Sequence, residues 1–203
     1  MTIKRGEDWG HMGPVAEGTP VARSDAELAA MFKVQDGQIV GPDFVGLLDG
    51  DLAQTVGASG DEALLRGTDR PHLPIDLAVV SLDGRELVMA GSLVIRARWW
   101  TGPVSAAMNA AFLDDWNVAP AGHPNDGRLD VIEANLSMGD RLKARDRLPT
   151  GSHVPHPDIS VRRLKEASWS PTRRQFVFVD HVKYGGVSEV AVVVHPDAST
   201  LVI

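Results

Sequence analysis

The segment from His123 to Val131, HPNDGRLDV, concentrates residue types that could hold a metal ion. Asn125, Asp126 and Gly127 favour a turn, because Asn and Asp side chains bond to nearby backbone and Gly accepts a positive φ. The carboxylate of Asp126, together with turn carbonyls, offers the oxygen ligands that Mg²⁺ accepts. The same residues also suit a plain hairpin turn, so the pattern leaves a turn and a metal site open.

A second candidate metal site is the segment HVPHP, which places His153 and His156 three residues apart, with Asp158 close behind. A zinc site would need a third ligand, which His123 or His181 could provide. Two prolines make the segment extended, so its histidines need not converge. An exposed or hydrogen-bonded loop is therefore the competing interpretation.

Composition and motifs exclude several kinds of chemistry. The chain contains no cysteine, which excludes disulfides, thiol catalysis and thiolate metal sites. No GxxxxGK[ST] phosphate loop and no GxGxxG dinucleotide fingerprint occurs. None of the serines lies in a GxSxG elbow, so a serine hydrolase has no support.

The chain's length and charge limit its fold and partners. Its 203 residues are 43% hydrophobic, enough for a core in one large domain or two small ones. The formal net charge is −7, so no nucleic-acid partner is expected. The basic residues are concentrated at Arg141, Lys143, Arg145, Arg147, Arg162, Arg163 and Lys165. This group is either a solvated face or a docking surface for an anionic membrane or an acidic partner.

The expected location is the cytoplasm, without a membrane span. The N-terminal residues MTIKRGEDWG lack the apolar core of a signal peptide. The most apolar stretch runs from Leu87 to Ile95 and is far shorter than the ~20 residues that a membrane helix needs. The lack of cysteine also fits a reducing compartment.

Local patterns in the first third predict two helices and a strand. Ser24 and Glu27 have capping-box spacing, which predicts a short helix in SDAELAAMFKV. Phe44 to Leu48 is typical of a strand, and a glycine turn then leads into a helix from Asp51 to Val56. Such a strand, turn and helix start is a geometry that suits anions.

From Ile75 onward, apolar and β-branched residues alternate as in strands. Asp83 and Gly84 form a common hairpin dipeptide, Leu129 to Ala134 is typical of a strand, and SMGDRLKARDRLP predicts a short polar helix. Trp99-Trp100 follows a strand-like run, so one ring would pack in the core and the other would cover an edge or interface, or line an apolar cleft. We predict a β-rich α+β fold with an antiparallel sandwich over residues 69–203 and a shortened α/β part over residues 1–68.

Four motifs occur in one order along the chain. They are GLLDGDLAQTVG from Gly46, APAGHPNDGRLDV from Ala119, TGSHVPH from Thr150 and HPDASTLVI from His195. In this order and spacing they resemble the diacylglycerol kinase family, lipid kinases related to sphingosine kinases and NAD kinases, mainly in the C-terminal domain. The resemblance covers roughly residues 46–203.

The resemblance implies roles for particular residues. In bacterial members a structural Mg²⁺ lies near this turn, and its ligands match the Asp126 carboxylate and the backbone carbonyls of His123 and Arg128. Gly50 and Asp51 match a remnant of the nucleotide loop, where the aspartate helps to organise the nucleotide and metal region. The resemblance therefore implies Mg²⁺ as the cofactor.

The sequence also departs from the family in three places. The Gly-Gly-Asp-Gly-Thr nucleotide loop is absent, with most of the α/β domain that carries it, and Leu48-Asp49 replaces the Gly-Thr of the second loop. The glutamate that serves as general base aligns with Val182, which cannot accept a proton. The neighbouring His181 is a weak substitute, since histidine titrates near neutrality. ATP is therefore not expected as a cofactor.

Three functions follow from these departures. We predict a catalytically degenerate diacylglycerol-kinase-like protein with a binding or regulatory role. The alternative is an active ATP-dependent lipid kinase whose site is completed by oligomerisation or by a partner chain. A β-sandwich module without an inherited ligand is the third interpretation.

The missing nucleotide half also predicts partners. Its loss exposes strand edges and apolar surface that an intact relative would cover. We therefore expect a homodimer or a partner chain, and the family resemblance adds a lipid or an anionic membrane surface.

Overall fold

The computed structural model describes residues 9–67, 69–97 and 101–203, so the Trp99-Trp100 pair lies outside the described residues. The elements of the first part are β1 His11–Pro14, β2 Val21–Ala22, α1 Asp25–Ala30, β3 Lys33–Gln35, β4 Gln38–Val40, β5 Phe44–Leu47, α2 Asp51–Val56 and α3 Glu62–Leu65.

The remaining described residues are mostly strand. Their elements are β6 Asp69–Leu82, β7 Arg85–Met89, β8 Ser92–Ala97, β9 Val104–Met108, β10 Phe112–Leu113, β11 Trp116–Asn117, β12 Leu129–Ala134, α4 Met138–Arg147, a 3₁₀ turn Leu148–Thr150, β13 Ile159–Leu164, β14 Glu166–Trp169, β15 Gln175–Val179, β16 Val182–Tyr184 and β17 Val190–Val202. Strand makes up 46% and helix 15%, which confirms the predicted β-rich α+β class. No helix among the described residues is long and apolar enough to cross a bilayer.

The first sheet is built on one long antiparallel pair, β6 and β17. On one side β1 extends the sheet from β6, and on the other β5 and β2 follow β17 in parallel. Strand β7 also pairs with β6, and β14 with β17. The segments VSEVAVVVHP and STLVI both contribute to the single strand β17, with an irregularity in pairing between His195 and Ser199.

The second sheet is antiparallel throughout, in the order β13-β12-β9-β8-β15-β16. Because side chains alternate across a strand, each strand of this sheet has an inner and an outer apolar face. Leu93 and Ile95 of β8 face a core shared with Val80 and Val192 of the first sheet. Val94, between them, belongs to a separate apolar group on the outer face. The two sheets therefore form a sandwich, and the second sheet keeps apolar surface on its far side.

Several local predictions are confirmed. The turn between β6 and β7 has positive φ at both Asp83 and Gly84, as a two-residue hairpin requires. Helix α4 covers most of SMGDRLKARDRLP, with the Ser137 hydroxyl accepting a hydrogen bond from the Asp140 N–H. Strand β12 has the predicted bounds.

The first helix is shorter than the sequence predicts. The Ser24 side chain caps α1 by accepting from the Glu27 N–H at 3.1 Å, which confirms the helix start. The helix ends at Ala30, however, and Lys33–Gln35 turns back as strand β3 to pair with β4. The predicted helical segment is wrong over these last residues, because a hairpin at Asp36-Gly37 follows it.

The two predicted parts of the chain are joined through the first sheet. Strands β2 and β5 add to β17, and one apolar core contains Leu28 and Leu52 of the first part beside Ile75 and Leu201 of the second. The division into residues 1–68 and 69–203 stays a prediction. In the structure, both parts contribute to one sheet and one core.

Candidate functional site

Four aspartates and one histidine meet where the N-terminal part contacts the sandwich. Asp25 and Asp51 begin α1 and α2, Asp114 lies between β10 and β11, and Asp180 and His181 form the turn between β15 and β16. We call these five residues the aspartate cluster. It brings together Asp51 and His181, both singled out from the sequence, and adds three residues that the sequence analysis missed.

Asp25 is a buried acid of the cluster with a strongly raised pKa. It is 2% exposed, and both carboxyl oxygens lie 3.2 Å from the Leu52 N–H. Burial, together with the charges of Asp180 and Asp51, raises the pKa of Asp25 to about 8. The group is therefore mostly protonated at neutral pH.

Two glycines make room for the Asp25 carboxyl group. A Cβ at Gly50 would overlap Oδ1 of Asp25, and one at Gly91 would overlap Oδ2. Gly50 also has a φ of 114°, a conformation that L side chains rarely adopt. Gly50, predicted from the sequence as part of a nucleotide-loop remnant, thus forms one wall of the Asp25 pocket.

Asp180 connects the β15–β16 turn to the turn between β7 and β8. It is 3% exposed and accepts hydrogen bonds from the N–H groups of Ala90, Gly91 and Ser92 at 2.8, 2.8 and 2.9 Å. Burial raises the pKa of Asp180, and these three donors act in the opposite direction. The contacts fix the β15–β16 turn in place and so determine where His181 points.

Asp51 and His181 form a close pair. Oδ2 of Asp51 lies 2.7 Å from Nε2 of His181, and Oδ1 of Asp51 accepts from the Asp114 N–H at 2.7 Å. The other ring nitrogen, Nδ1, is 3.8 Å from Oδ1 of Asp114. The hydrogen bond to Asp51 is the main cause that raises the pKa of His181 to about 9. The ring is therefore an imidazolium at neutral pH.

The turn that carries this imidazolium is conformationally unusual. Asp180 has a φ of 46° and His181 a φ of 65°, both in the left-handed region that favours glycine. Such conformations persist where surrounding contacts hold them, and they occur often at functional sites. Here the Asp180 hydrogen bonds and the Asp51–His181 pair are those contacts.

The two family positions changed in this sequence lie close to the cluster. Val182, at the aligned position of the family base, begins β16 and is 46% exposed. Asp49, in the altered loop, uses Oδ1 to accept from the Gly50 N–H at 2.7 Å. Val182 offers no proton acceptor, and the Asp49 carboxylate bonds to the backbone of its own turn.

The predicted metal corner is a tight turn whose carboxylate already has a cationic partner. Oδ1 of Asp126 accepts from the Arg128 N–H at 3.0 Å, and Oδ2 contacts the Arg163 guanidinium. The His123 ring packs edge-on against Trp9, with its Nδ1 accepting from the backbone of the turn. The donor set suits Mg²⁺ in chemistry, but an ion at Asp126 would compete with Arg163. The metal role of Asp126, His123 and Arg128 stays a prediction.

Asp76, which the sequence analysis missed, holds this turn in place from the protein interior. It is fully buried and accepts from the N–H groups of Gly127 at 2.6 Å and Asp197 at 2.9 Å. The Asn125 side chain donates to it at 3.3 Å, and the Asp76 N–H donates to the Pro124 carbonyl. Burial raises the pKa of Asp76. A lone carboxylate inside the apolar run IDLAVV was the available sequence signal.

The histidines of HVPHP do not converge. His153 is 5% exposed, whereas His156 has ligand atoms near those of Asp140 and Asp158. The third member of this group is thus Asp140 rather than His123 or His181. Val154 and Pro155 separate the two histidines in a segment outside the helices and strands, as expected for a loop.

An apolar groove lies between α4 and the outer face of the second sheet. Its volume is about 510 Å³. The sheet side is lined by residues such as Val94, Ala106 and Ile132, and the helix side by Leu142 and Leu148. It is the space left where the polar helix α4 covers part of the outer apolar face.

Comparison with known proteins identifies the fold. No family model matches the chain, and no curated protein matches it. Among solved structures, the fold is similar to that of a protein from Bacillus anthracis str. Sterne provisionally assigned as a diacylglycerol kinase, with a TM-score of 0.54 and 10% identity over 80% of this chain and 70% of that chain. A second structure of such a kinase from the same organism gives a TM-score of 0.50 and 12% identity over 80% of this chain and 69% of that one. The protein therefore has a diacylglycerol-kinase-like fold, as the order of sequence motifs predicts.

Proposed function

We propose that this protein binds a lipid within a diacylglycerol-kinase-like fold and does not transfer phosphoryl groups. The observation that carries this proposal is the Asp51–His181 pair at 2.7 Å. An imidazolium bonded to a carboxylate cannot take a proton from a lipid hydroxyl, and Val182 has no proton acceptor. A kinase needs a base positioned at the substrate hydroxyl, and neither His181 nor Val182 supplies it.

The groove beneath α4 supports lipid as the ligand class. The solved neighbours are named for diacylglycerol, whose acyl chains are apolar. A groove of about 510 Å³ lined mainly by aliphatic side chains suits such a chain. Removing a CH₂ group from water contributes roughly 0.8 kcal/mol, so several methylene groups in this groove give useful affinity.

We expect Ala134→Phe to weaken lipid binding by about tenfold or more, because the added ring occupies the groove that Ala134 lines. The measurement is displacement of cis-parinaric acid by monomeric dioctanoylglycerol. Ala191→Phe, at a half-buried alanine of the first sheet, is the matched control and should leave displacement unchanged. Equal affinities of the Ala134→Phe variant and the parent protein would contradict the groove as the site.

Nucleotide binding separates the inactive protein from an active kinase completed by oligomerisation. We expect ATP to leave the thermal midpoint unchanged with or without Mg²⁺. ATP at a concentration 100 times its Kd would add about 2.7 kcal/mol to the free energy of unfolding, so a real nucleotide site would raise the thermal midpoint visibly. A clear ATP-dependent rise would favour the kinase. Mg²⁺ without ATP is tested separately. A rise in the thermal midpoint that the Asp126→Asn variant does not show would support the proposed ion at that turn.

A homodimer, or a partner chain, is the proposed assembly. Val40 is 51% exposed and Phe44 42% exposed on the N-terminal part, where a larger relative would carry more of its α/β domain. Light scattering at micromolar concentration tests this, and a monomer with no co-purifying chain would count against it. We also propose a cytoplasmic location, which cell fractionation would test.

A further inference from the structure

The outward face of α4 carries two exposed apolar side chains beside the groove. Met138 is 64% exposed and Leu142 is 61% exposed. They are four residues apart and so lie on one helix face, which Arg145 continues three residues later. Both apolar side chains also line the groove. The helix therefore presents an apolar stripe that leads to the groove entrance.

Positive charge surrounds this stripe in a chain of net charge −7. Four of the ten residues of α4 are basic and two are acidic. Lys143 pairs with Asp140 at 3.1 Å, and Arg141 donates to a backbone carbonyl. Among the described residues, no carboxylate forms an ion pair with Arg145 or Arg147. These two arginines are available for an anionic partner.

The helix is held in a fixed orientation on the sheet. Ala144 is buried, and Leu148, at the end of the helix, is half-buried against the groove. Met138 and Leu142 consequently stay largely exposed at the edge of the groove. A rigid helix that displays apolar and basic side chains together has the character of an interfacial membrane segment.

We propose that α4 docks the protein onto anionic lipid bilayers, with Met138 and Leu142 entering the interface and Arg145, on the same helix face, contacting headgroups. This inference rests on the proposed lipid-binding function, because docking brings the groove entrance to its ligand. Basic side chains are attracted to anionic membrane surfaces, and arginine extends its charged end to the headgroups while its stem stays apolar. An acidic protein would satisfy the arginines but not explain an apolar stripe at the mouth of an apolar groove.

Vesicle co-sedimentation of the full chain tests the docking. We expect binding to vesicles of phosphatidylcholine mixed with phosphatidylglycerol, and at least about tenfold weaker binding to phosphatidylcholine alone. Met138→Gln with Leu142→Gln should weaken binding to the mixed vesicles by about tenfold. Arg145→Gln should weaken it by roughly fivefold and reduce its salt dependence.

Matched controls lie on other surfaces. Val193→Gln removes a side chain that is 42% exposed on β17, and Arg85→Gln removes a charge at the β6–β7 hairpin. Both should bind vesicles as the parent protein does. Circular dichroism and thermal midpoints must show that all variants are folded, and a second apolar pair, Met138→Ser with Leu142→Ser, replaces the first if it unfolds.

Three results would overturn the docking proposal. They are the absence of vesicle binding, equal binding to neutral and anionic vesicles, and unchanged binding by both α4 variants. Binding of a polyglutamate peptide without vesicle binding would assign α4 to an acidic protein. Displacement by monomeric dioctanoylglycerol needs no bilayer, so docking can fail while the proposed function stands. Vesicle binding without displacement would instead support docking and contradict the lipid groove.

Discussion

At pH 8 the Asp25→Asn variant is expected to be more stable than the parent protein, and this advantage should shrink toward pH 4. Burial raises the pKa of Asp25 to about 8, whereas an aspartate in the unfolded chain has its ordinary pKa of 3.8. Between these values the folded state binds more protons than the unfolded state. Its stability therefore falls as pH rises, by at most about 1.4 kcal/mol per pH unit. Asparagine imitates the protonated acid and removes this dependence.

Urea unfolding of the variant and the parent protein at several pH values measures this effect. His181 must be considered too, because its raised pKa gives stability that is present below 6.5 and lost as pH rises through about 9. Below pH 6.5, the difference in unfolding free energy between the parent protein and the variant isolates the Asp25 contribution. Asp43→Asn, at an exposed carboxylate, is the control that should leave the slope unchanged. Parallel stability curves for Asp25→Asn and the parent protein would show that Asp25 is not protonated in the fold.

Asp76→Ala is expected to lower the free energy of unfolding by about 3–5 kcal/mol. The substitution leaves the buried N–H groups of Gly127 and Asp197 without their acceptor, and it removes one partner of the Asn125 amide. An unsatisfied buried donor costs about 1–3 kcal/mol, so the losses combine to this range. Asp76→Asn keeps the shape and one acceptor oxygen, and it should lose less.

Urea denaturation measures the loss, and amide hydrogen exchange locates it. If Asp76 holds the turn, exchange at Gly127 should accelerate more than exchange in the second sheet. Asp126→Ala removes a carboxylate of the same turn that lies nearer the surface, and it should cost less than Asp76→Ala. A loss below about 1 kcal/mol for Asp76→Ala, with unchanged exchange at Gly127, would disprove this role.

Local features of the fold could be predicted because short-range chemistry determines them. The Asp83-Gly84 hairpin needs positive φ at two adjacent residues, and the Ser24 cap needs one hydroxyl near an N–H three residues later. The alternation of apolar residues along the chain predicted the strands of the sandwich. The end of α1 was missed because pairing between β3 and β4 overrides the helical pattern at Lys33.

The aspartate cluster could be predicted only in part, because its members come from distant segments. Asp51 and His181 were singled out by family resemblance, yet their 2.7 Å contact joins residues 130 positions apart. Asp25 follows the capping serine and looks like a second capping residue in sequence. Its burial and raised pKa depend on α2 and the second sheet, which only the folded chain brings together.

The place of β17 between β6 and β5 has a consequence for how this chain folds as it is synthesised. Residues 44–47 leave the ribosome early, but their partners at residues 200–202 follow some 150 positions later. Strand β6 is also synthesised long before β17, its main pairing partner. Contacts so distant in sequence form slowly, and unpaired strands are prone to aggregate meanwhile. The nascent chain therefore exposes unpaired strands until β17 emerges and closes the first sheet.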